Sequence, residues 1–501
     1  MAAGVASTAG AVAAAAVSTP FVLDSLGAAA FGVWTVLGSF VVYLGIAESG
    51  FGPAVQRFVA ISRGREARHE AAALMWTMLA GYAVVGGGLC AGLWLLAPEI
   101  VGVFDFPAAL REDSVELLEL VALAVPVTLV ASGLANVLFG LERFVIAAGS
   151  AALGALVGLV AVVIALERGA GLPGLGMALI VQQAAVILVR ALALRDIVTA
   201  GPPRLAPRAQ VLALGSFSAK LQLSALSVLV NGQSDKVVAG LVAPAATVGR
   251  LGVASQLAEA GRMVAGTLLG PVVSRLSVLA GRGEGERERL EADYRRLSRL
   301  WIVTMTGATF VGIGLLHPLL LAWLGDGYGE AVLFGAVLVL AYGINVITGI
   351  GSSYVRAVGL VGIEARSGML MIGLNVLFTI PLALVAGALG VVLGTLAANV
   401  LGTAWFFWRL QRVTPLRAPS PFAVARVLVL ATAAGAIALG GGWLAAAFLP
   451  RFVAIVPVAL IAGGAFAAYA ALALETPLRA LFSVPSEDAG SARTAERTTQ
   501  V

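Results

Sequence analysis

The chain has 501 residues, of which 60% are hydrophobic and only 12% charged, with a formal net charge of +5. Soluble domains carry about 25% charged residues, so this composition excludes a water-soluble globular fold. The basic excess is almost wholly arginine, lysine occurring only at Lys220 and Lys236, and no stretch concentrates it into a phosphate track, so nucleic acid is excluded as a partner.

Apolar runs long enough to cross a bilayer as helices, ~20 residues each, recur from end to end. They are continuous, without the period-two alternation of a membrane barrel. The fold class is therefore all-α and polytopic, with about fourteen transmembrane helices. In chain order the expected spans are 3–26, 31–56, 71–96, 115–139, 145–166, 172–194, 212–240, 247–274, 299–323, 331–355, 365–386, 389–410, 424–447 and 452–474. The first is mostly alanine and is interrupted by Ser18, Thr19 and Pro20. Residues 475–501 are polar and aperiodic, the pattern of a disordered cytoplasmic tail. "MAAGVASTAG" at the start has no basic n-region, so a cleaved signal peptide is not expected.

Arginine asymmetry sets the orientation. Twenty-two arginines fall in or beside the breaks after the even-numbered spans, against Arg111, Arg168, Arg250 and Arg451 after the odd ones. The even breaks, and both termini, are thus expected in the cytoplasm. Trp94, Trp301, Trp323, Trp405 and Trp408 fall near the expected interfaces, as membrane tryptophans do.

The second span closes on "GPAVQR" at 52–57 and the eighth on "GPVVSR" at 270–275, identical at four positions. Six spans separate the copies, so both run the same way. Two parallel six-helix lobes related by a pseudo-twofold axis along the membrane normal follow. The expected division is 1–208 and 209–412 for the lobes, 413–474 for two extra helices and 475–501 for the tail.

The stretches at 26–60 ("LGAAAFGVW…"), 231–277 ("NGQSDKVVAGLV…") and, more weakly, 352–400 carry a resemblance. The chain resembles the bacterial polysaccharide flippases of the multidrug/oligosaccharidyl-lipid/polysaccharide exporter superfamily, and "AESGF" at 47–51 is similar to a stretch of the lipid II flippases. No basic leader of the kind usual in that family precedes the first span here, so either the start at Met1 is late or the first span is expected to insert without it. The resemblance implies alternating-access transport of an undecaprenyl-diphosphate-linked oligosaccharide, an O-antigen, capsule or exopolysaccharide unit, across the bacterial inner membrane. It implies contact with membrane lipids, and glycan polymerases or glycosyltransferases as further partners. The rival readings are a lipid II flippase and a cation-coupled multidrug antiporter.

Ionisable residues inside a bilayer cost ~2.5–3.5 kcal/mol each on insertion scales and mark function by default. On the eighth span Ser255, Glu259 and Arg262 fall within about 60° of one another. Arg262 is near the midplane, where its fork of donors suits a diphosphate, and Glu259 can hold it in the empty site. The bland alternative is a self-neutralising pair that only packs helices. Lys220, Asp235 and Lys236 on the seventh span complete the substrate-binding candidates; Asp235 and Lys236 are adjacent, so they point about 100° apart. Glu48 and Asp24 are the ion-coupling candidates, with capping of a kink at Gly50 and a boundary position as their respective alternatives. Arg57, Arg275 and Arg356 lie at headgroup level, to draw in an anionic head group or simply to fix topology.

Enzyme chemistry is not expected. No nucleotide loop, zinc motif or nucleophile elbow appears, and the longest break on the outer side, 97–114, is short for a catalytic domain. One cysteine, Cys90, and two distant histidines, His69 and His317, offer no metal site, and no cofactor is expected. A structural scaffold leaves the Glu259 and Arg262 charges without a purpose.

Overall fold

The computed structural model describes residues 2–44, 46–200, 202–281, 287–413 and 421–473. Among them there is no strand. The helices are α1 (Ala2–Leu44), α2 (Ile46–Gly64), α3 (Arg68–Leu95), α4 (Ala97–Val103), α5 (Arg111–Gly140), α6 (Phe144–Glu167), α7 (Gly171–Ala193) and α8 (Arg195–Val198). They continue as α9 (Arg208–Val242), α10 (Ala245–Gly281), α11 (Arg287–Leu324), α12 (Gly329–Val346), α13 (Gly349–Ala357), α14 (Val361–Val413), α15 (Pro421–Phe448) and α16 (Ile455–Ala473). Ten helical segments among the described residues have the length and composition of membrane spans. The tail expected at 475–501 lies outside the described residues.

Two of the helices are hairpins. In α14 the backbone leaves helical geometry at Ala386 and Gly387. Beyond that break Gly390, Gly394 and Gly402 face Leu382, Thr379 and Met371, so the chain doubles back on itself there. In α1 the break is Gly27, at φ 80°, a conformation open to glycine without steric cost. The expected spans at 365–386 and 389–410 are therefore the two arms of α14.

Four turns share one geometry. At Glu66, Glu142, Gly169 and Gly359 the backbone is left-handed, and the next residue's N–H reaches the carbonyl five back: Ala67 to Ser62, Arg143 to Leu138, Ala170 to Ala165 and Leu360 to Val355. This is the Schellman cap, which satisfies the last carbonyls of each helix.

Helices α1 to α7 pack against one another, as do α9 to α14, while α15 and α16 pack on α11. The two groups meet where α1 lies on α10 and α2 on α9. The α1–α10 contact is backbone on backbone. A Cβ on Gly32 would fall 1.8 Å from Ala245 O, and one on Gly249 would fall 2.2 Å from Ala28 O. Small residues admit this approach where lipid gives helices no hydrophobic drive to associate.

Arg190, counted from sequence among the break arginines, is instead buried at the core of the first group. Its guanidinium donates to Ala131 O at 2.6 Å, Ser150 Oγ at 2.8 Å and Ala147 O at 3.3 Å, tying α7 to α5 and α6. At the arginine-rich end, Arg143 closes the turn between α5 and α6 by a fork on Asp196, with Nη1 to Oδ1 at 2.9 Å. Those hydrogen bonds hold the Asp196 carboxyl below its ordinary range. A depressed carboxylate contributes stability above its unfolded pKa, about 3.9, and loses that contribution as pH falls through the folded value. Asp196→Asn is thus expected to lower thermal stability at neutral pH and to flatten its decline below about pH 4. An unchanged acid limb would mean that this fork carries none of it.

Candidate functional site

A cavity of about 420 Å³ lies between the two groups of helices. Ser18, Thr19, Thr35 and Ser39 line it from the α1 hairpin, Gln182 from α7, Lys236 from α9, and Gln256 and Glu259 from α10. Lys236 Nζ is 3.4 Å from Glu259 Oε1, both side chains being largely buried. Thr19 Oγ1 stands 2.7 Å from Ala15 O and 3.0 Å from Gln256 Oε1. The threonine has one proton to give, so the Gln256 amide meets it across the gap as the other half of the pair. Hydroxyls and amides around a single ion pair form a wall suited to polyhydroxylated groups.

Arg262 lies on another flank of α10. It lines a cleft of about 250 Å³ between α10, α11 and α12, with Leu257, Met305, Leu316, Leu319 and Tyr342 among its neighbours. The guanidinium carbon sits 4.9 Å from the Tyr342 ring centroid, a cation–π contact worth about 0.5–2 kcal/mol. Leu257 and Leu319 also line a third, apolar hollow of about 430 Å³ with Phe21, Trp323, Phe452 and Ile455, so the two spaces share part of their wall. The expected Glu259–Arg262 pair is replaced. Glu259 turns to Lys236 in the polar cavity, and Arg262 has no carboxylate partner among the described residues. The 60° between them on α10 is enough to divide them between two spaces. Ser255 is buried between helices.

Asp235 points away from Lys236, as adjacency requires, into the interface of α9 and α14. Thr395 Oγ1 donates to its Oδ1 at 2.8 Å, and Asn375 Nδ2 donates to Thr395 Oγ1 at 3.2 Å. Asp235 Oδ2 and Thr379 Oγ1 are buried with no hydrogen-bond partner. A buried carboxylate oxygen left this way is a place for a proton or a small cation. Asn375, Thr379 and Thr395 were not singled out from sequence. The signal was there: Asn375 with Thr379 and Thr395 with Asn399 are two polar pairs at helical spacing, mirrored about Gly387.

Glu48 lies inside the first group, where Asn136 Nδ2 donates to its Oε1 at 2.6 Å. Asp24 is exposed and 3.6 Å from Arg451. Lys220 is on α9, but its side chain lies outside the described residues. Of the three arginines expected at headgroup level, Arg356 lies in the last turn of α13, while Arg57 and Arg275 lie within α2 and α10, short of their ends. Arg57 is exposed over the Phe58 ring, Arg275 pairs with Asp293 at 2.9 Å, and Arg356 forks onto Glu364.

A family model described as "Polysaccharide biosynthesis protein" matches residues 3–277, more than half of the chain. The chain belongs to the polysaccharide biosynthesis protein family. A search of curated proteins found no match. Among solved structures, this polysaccharide biosynthesis protein is similar to the lipid II flippase MurJ in an inward closed conformation. The TM-score is 0.72 at 12% identity, covering 94% of this chain and 97% of that one. It is also similar to an inward-facing multidrug resistance MATE family transporter, with a TM-score of 0.65 at 17% identity over 82% and 96% of the two chains. A MATE transporter in complex with MaD3S follows at 0.53 and 15%, over 82% and 94%. At these identities the likeness is one of fold. The polysaccharide biosynthesis family member is thus a multi-pass membrane protein with the helical fold that MurJ and the MATE transporters share.

Proposed function

We propose that this chain moves an anionic, lipid-linked oligosaccharide across the membrane, alternately exposing the cavity between lobes 1–208 and 209–412. The observation that carries this reading is Arg262. It is a cation without a carboxylate partner among the described residues, within the expected eighth span and in a largely apolar cleft, on the other flank of the helix that lines the polar cavity. A carrier of organic cations should instead present carboxylates where Arg262 stands. An amphiphile with a sugar head, a diphosphate and a long hydrocarbon matches the three surfaces in order: hydroxyls and amides, guanidinium, apolar hollow. The cavity is within the 300–1,000 Å³ of ordinary ligand sites, so it takes part of a glycan and must open for the rest. Asp235, with its unpartnered oxygen, suits a coupling proton or small cation. Inner-membrane placement with cytoplasmic termini accords with the arginine asymmetry.

The purified protein in vesicles is the test. Labelled undecaprenyl-diphosphate oligosaccharide should cross in a protein-dependent manner, and Lys236→Gln, which strands Glu259 beside the sugar site, should slow it about tenfold or more. Movement of a labelled organic cation with none of the lipid-linked sugar would overturn the reading in favour of a multidrug-type carrier.

A further inference from the structure

Pro20 interrupts α1. Proline has no N–H, so the carbonyl four residues back, Ala16 O, loses its helical partner. Inside a bilayer such an acceptor must be satisfied by protein. Here the partner comes from the other side of the lobe contact: the indole of Trp323, buried at the end of α11, donates Nε1–H to Ala16 O at 2.6 Å.

Trp323 is in turn held by the connection between α15 and α16. Arg451 Nε donates to Trp323 O at 3.2 Å, and Phe452 N donates to Ala322 O at 2.8 Å. Phe452 adopts φ 70°, a left-handed conformation rare for an aromatic residue, and persists there because its backbone is tied to α11. Arg451 also reaches back to Asp24 on α1 at 3.6 Å. That pair is long and exposed, so it adds little. The first lobe, the second lobe and the extra helices thus meet at one point, at the arginine-poor end.

We propose that the α15–α16 connection and Trp323 form a clasp that holds this end closed, with the Pro20-orphaned carbonyl of Ala16 as its catch. The extra helices then set how readily the lobes part, although neither helix lines the polar cavity. Parting strips Ala16 O of its donor, so the end opens only when water or another donor replaces the indole. The clasp does not depend on which substrate is carried, and its failure leaves the proposed substrate untouched.

Spin labels at Arg168→Cys and Asp326→Cys, in a Cys90→Ser background of the full chain in lipid nanodiscs, report separation at this end. Trp323→Phe keeps a ring and removes the donor; the ratio of long to short distances should rise about tenfold, the worth of one buried hydrogen bond. Arg451→Gln, which only loosens Trp323, should shift it less and in the same direction. Pro20→Ala restores a helical N–H to Ala16 O, so adding Trp323→Phe to that background should move the ratio far less than tenfold. An unchanged distribution in both Trp323→Phe and Arg451→Gln sinks the clasp. A full tenfold effect persisting in the Pro20→Ala background also sinks it, since the indole would then act by packing alone.

Discussion

Arg190→Ala is expected to destabilise the packing of α5, α6 and α7 by about 3–5 kcal/mol, through loss of charged hydrogen bonds and the cavity left by a large side chain. The guanidinium gathers acceptors from two neighbouring helices, Ala131 O on α5 and Ala147 O with Ser150 Oγ on α6, and no carboxylate is among them. Arg190→Met separates the two contributions. It keeps most of the volume, and Ser150 retains its own bond to Ala147 O at 2.9 Å, so about half of the loss should return. Arg190→Lys should fall between them, because one ammonium cannot span acceptors that a planar fork reaches together. Apparent melting temperature and monodispersity in detergent read the order. An alanine variant that melts with the wild type would show that the three helices hold together without this residue.

Arg262→Ala is expected to reduce translocation of the lipid-linked sugar about a hundredfold while leaving insertion and melting nearly unchanged. The asymmetry comes from its surroundings. Among the described residues the guanidinium meets the Tyr342 ring and no carboxylate, so little folding energy rests on it. A diphosphate would receive two or more charge-assisted hydrogen bonds from the same group, each worth about 1.5–3 kcal/mol. Arg262→Lys should retain part of the rate, a point charge replacing a fork. Translocation at the wild-type rate by the alanine variant would remove Arg262 from the site.

The fold was legible because bilayer thickness writes itself into run length, and most expected spans have one helix or hairpin arm in the structure; 31–56 is instead divided between the second arm of α1 and α2, and 331–355 between α12 and α13. The hairpins at Gly27 and Gly387 follow from glycine flanked by apolar runs. What sequence left unresolved was the direction in which charges face. Glu259 and Arg262 look like partners on a helical wheel, but α10 is bordered by the polar cavity on one flank and the largely apolar cleft on another. Only packing tells which flank each one meets. Arg190 was read as a boundary residue for a related reason. The positive-inside rule counts arginines near span ends, and a side chain turned inward contributes to the tally in the same way as one turned to the headgroups. The cluster around Asp235 is distributed over α9 and both arms of α14, so its members are far apart in the chain and none is conspicuous alone.

The touching glycines of α1 and α10 also have a mechanical meaning. With no side chain interposed, Gly32 and Gly249 supply a fulcrum on which one bundle can roll against the other. From Gly249 to Gly281, the end of α10, the lever arm is roughly 48 Å at the helical rise. A tilt of about 10° at such a pivot swings the far tip by roughly 8 Å, a gap wide enough to admit a sugar ring.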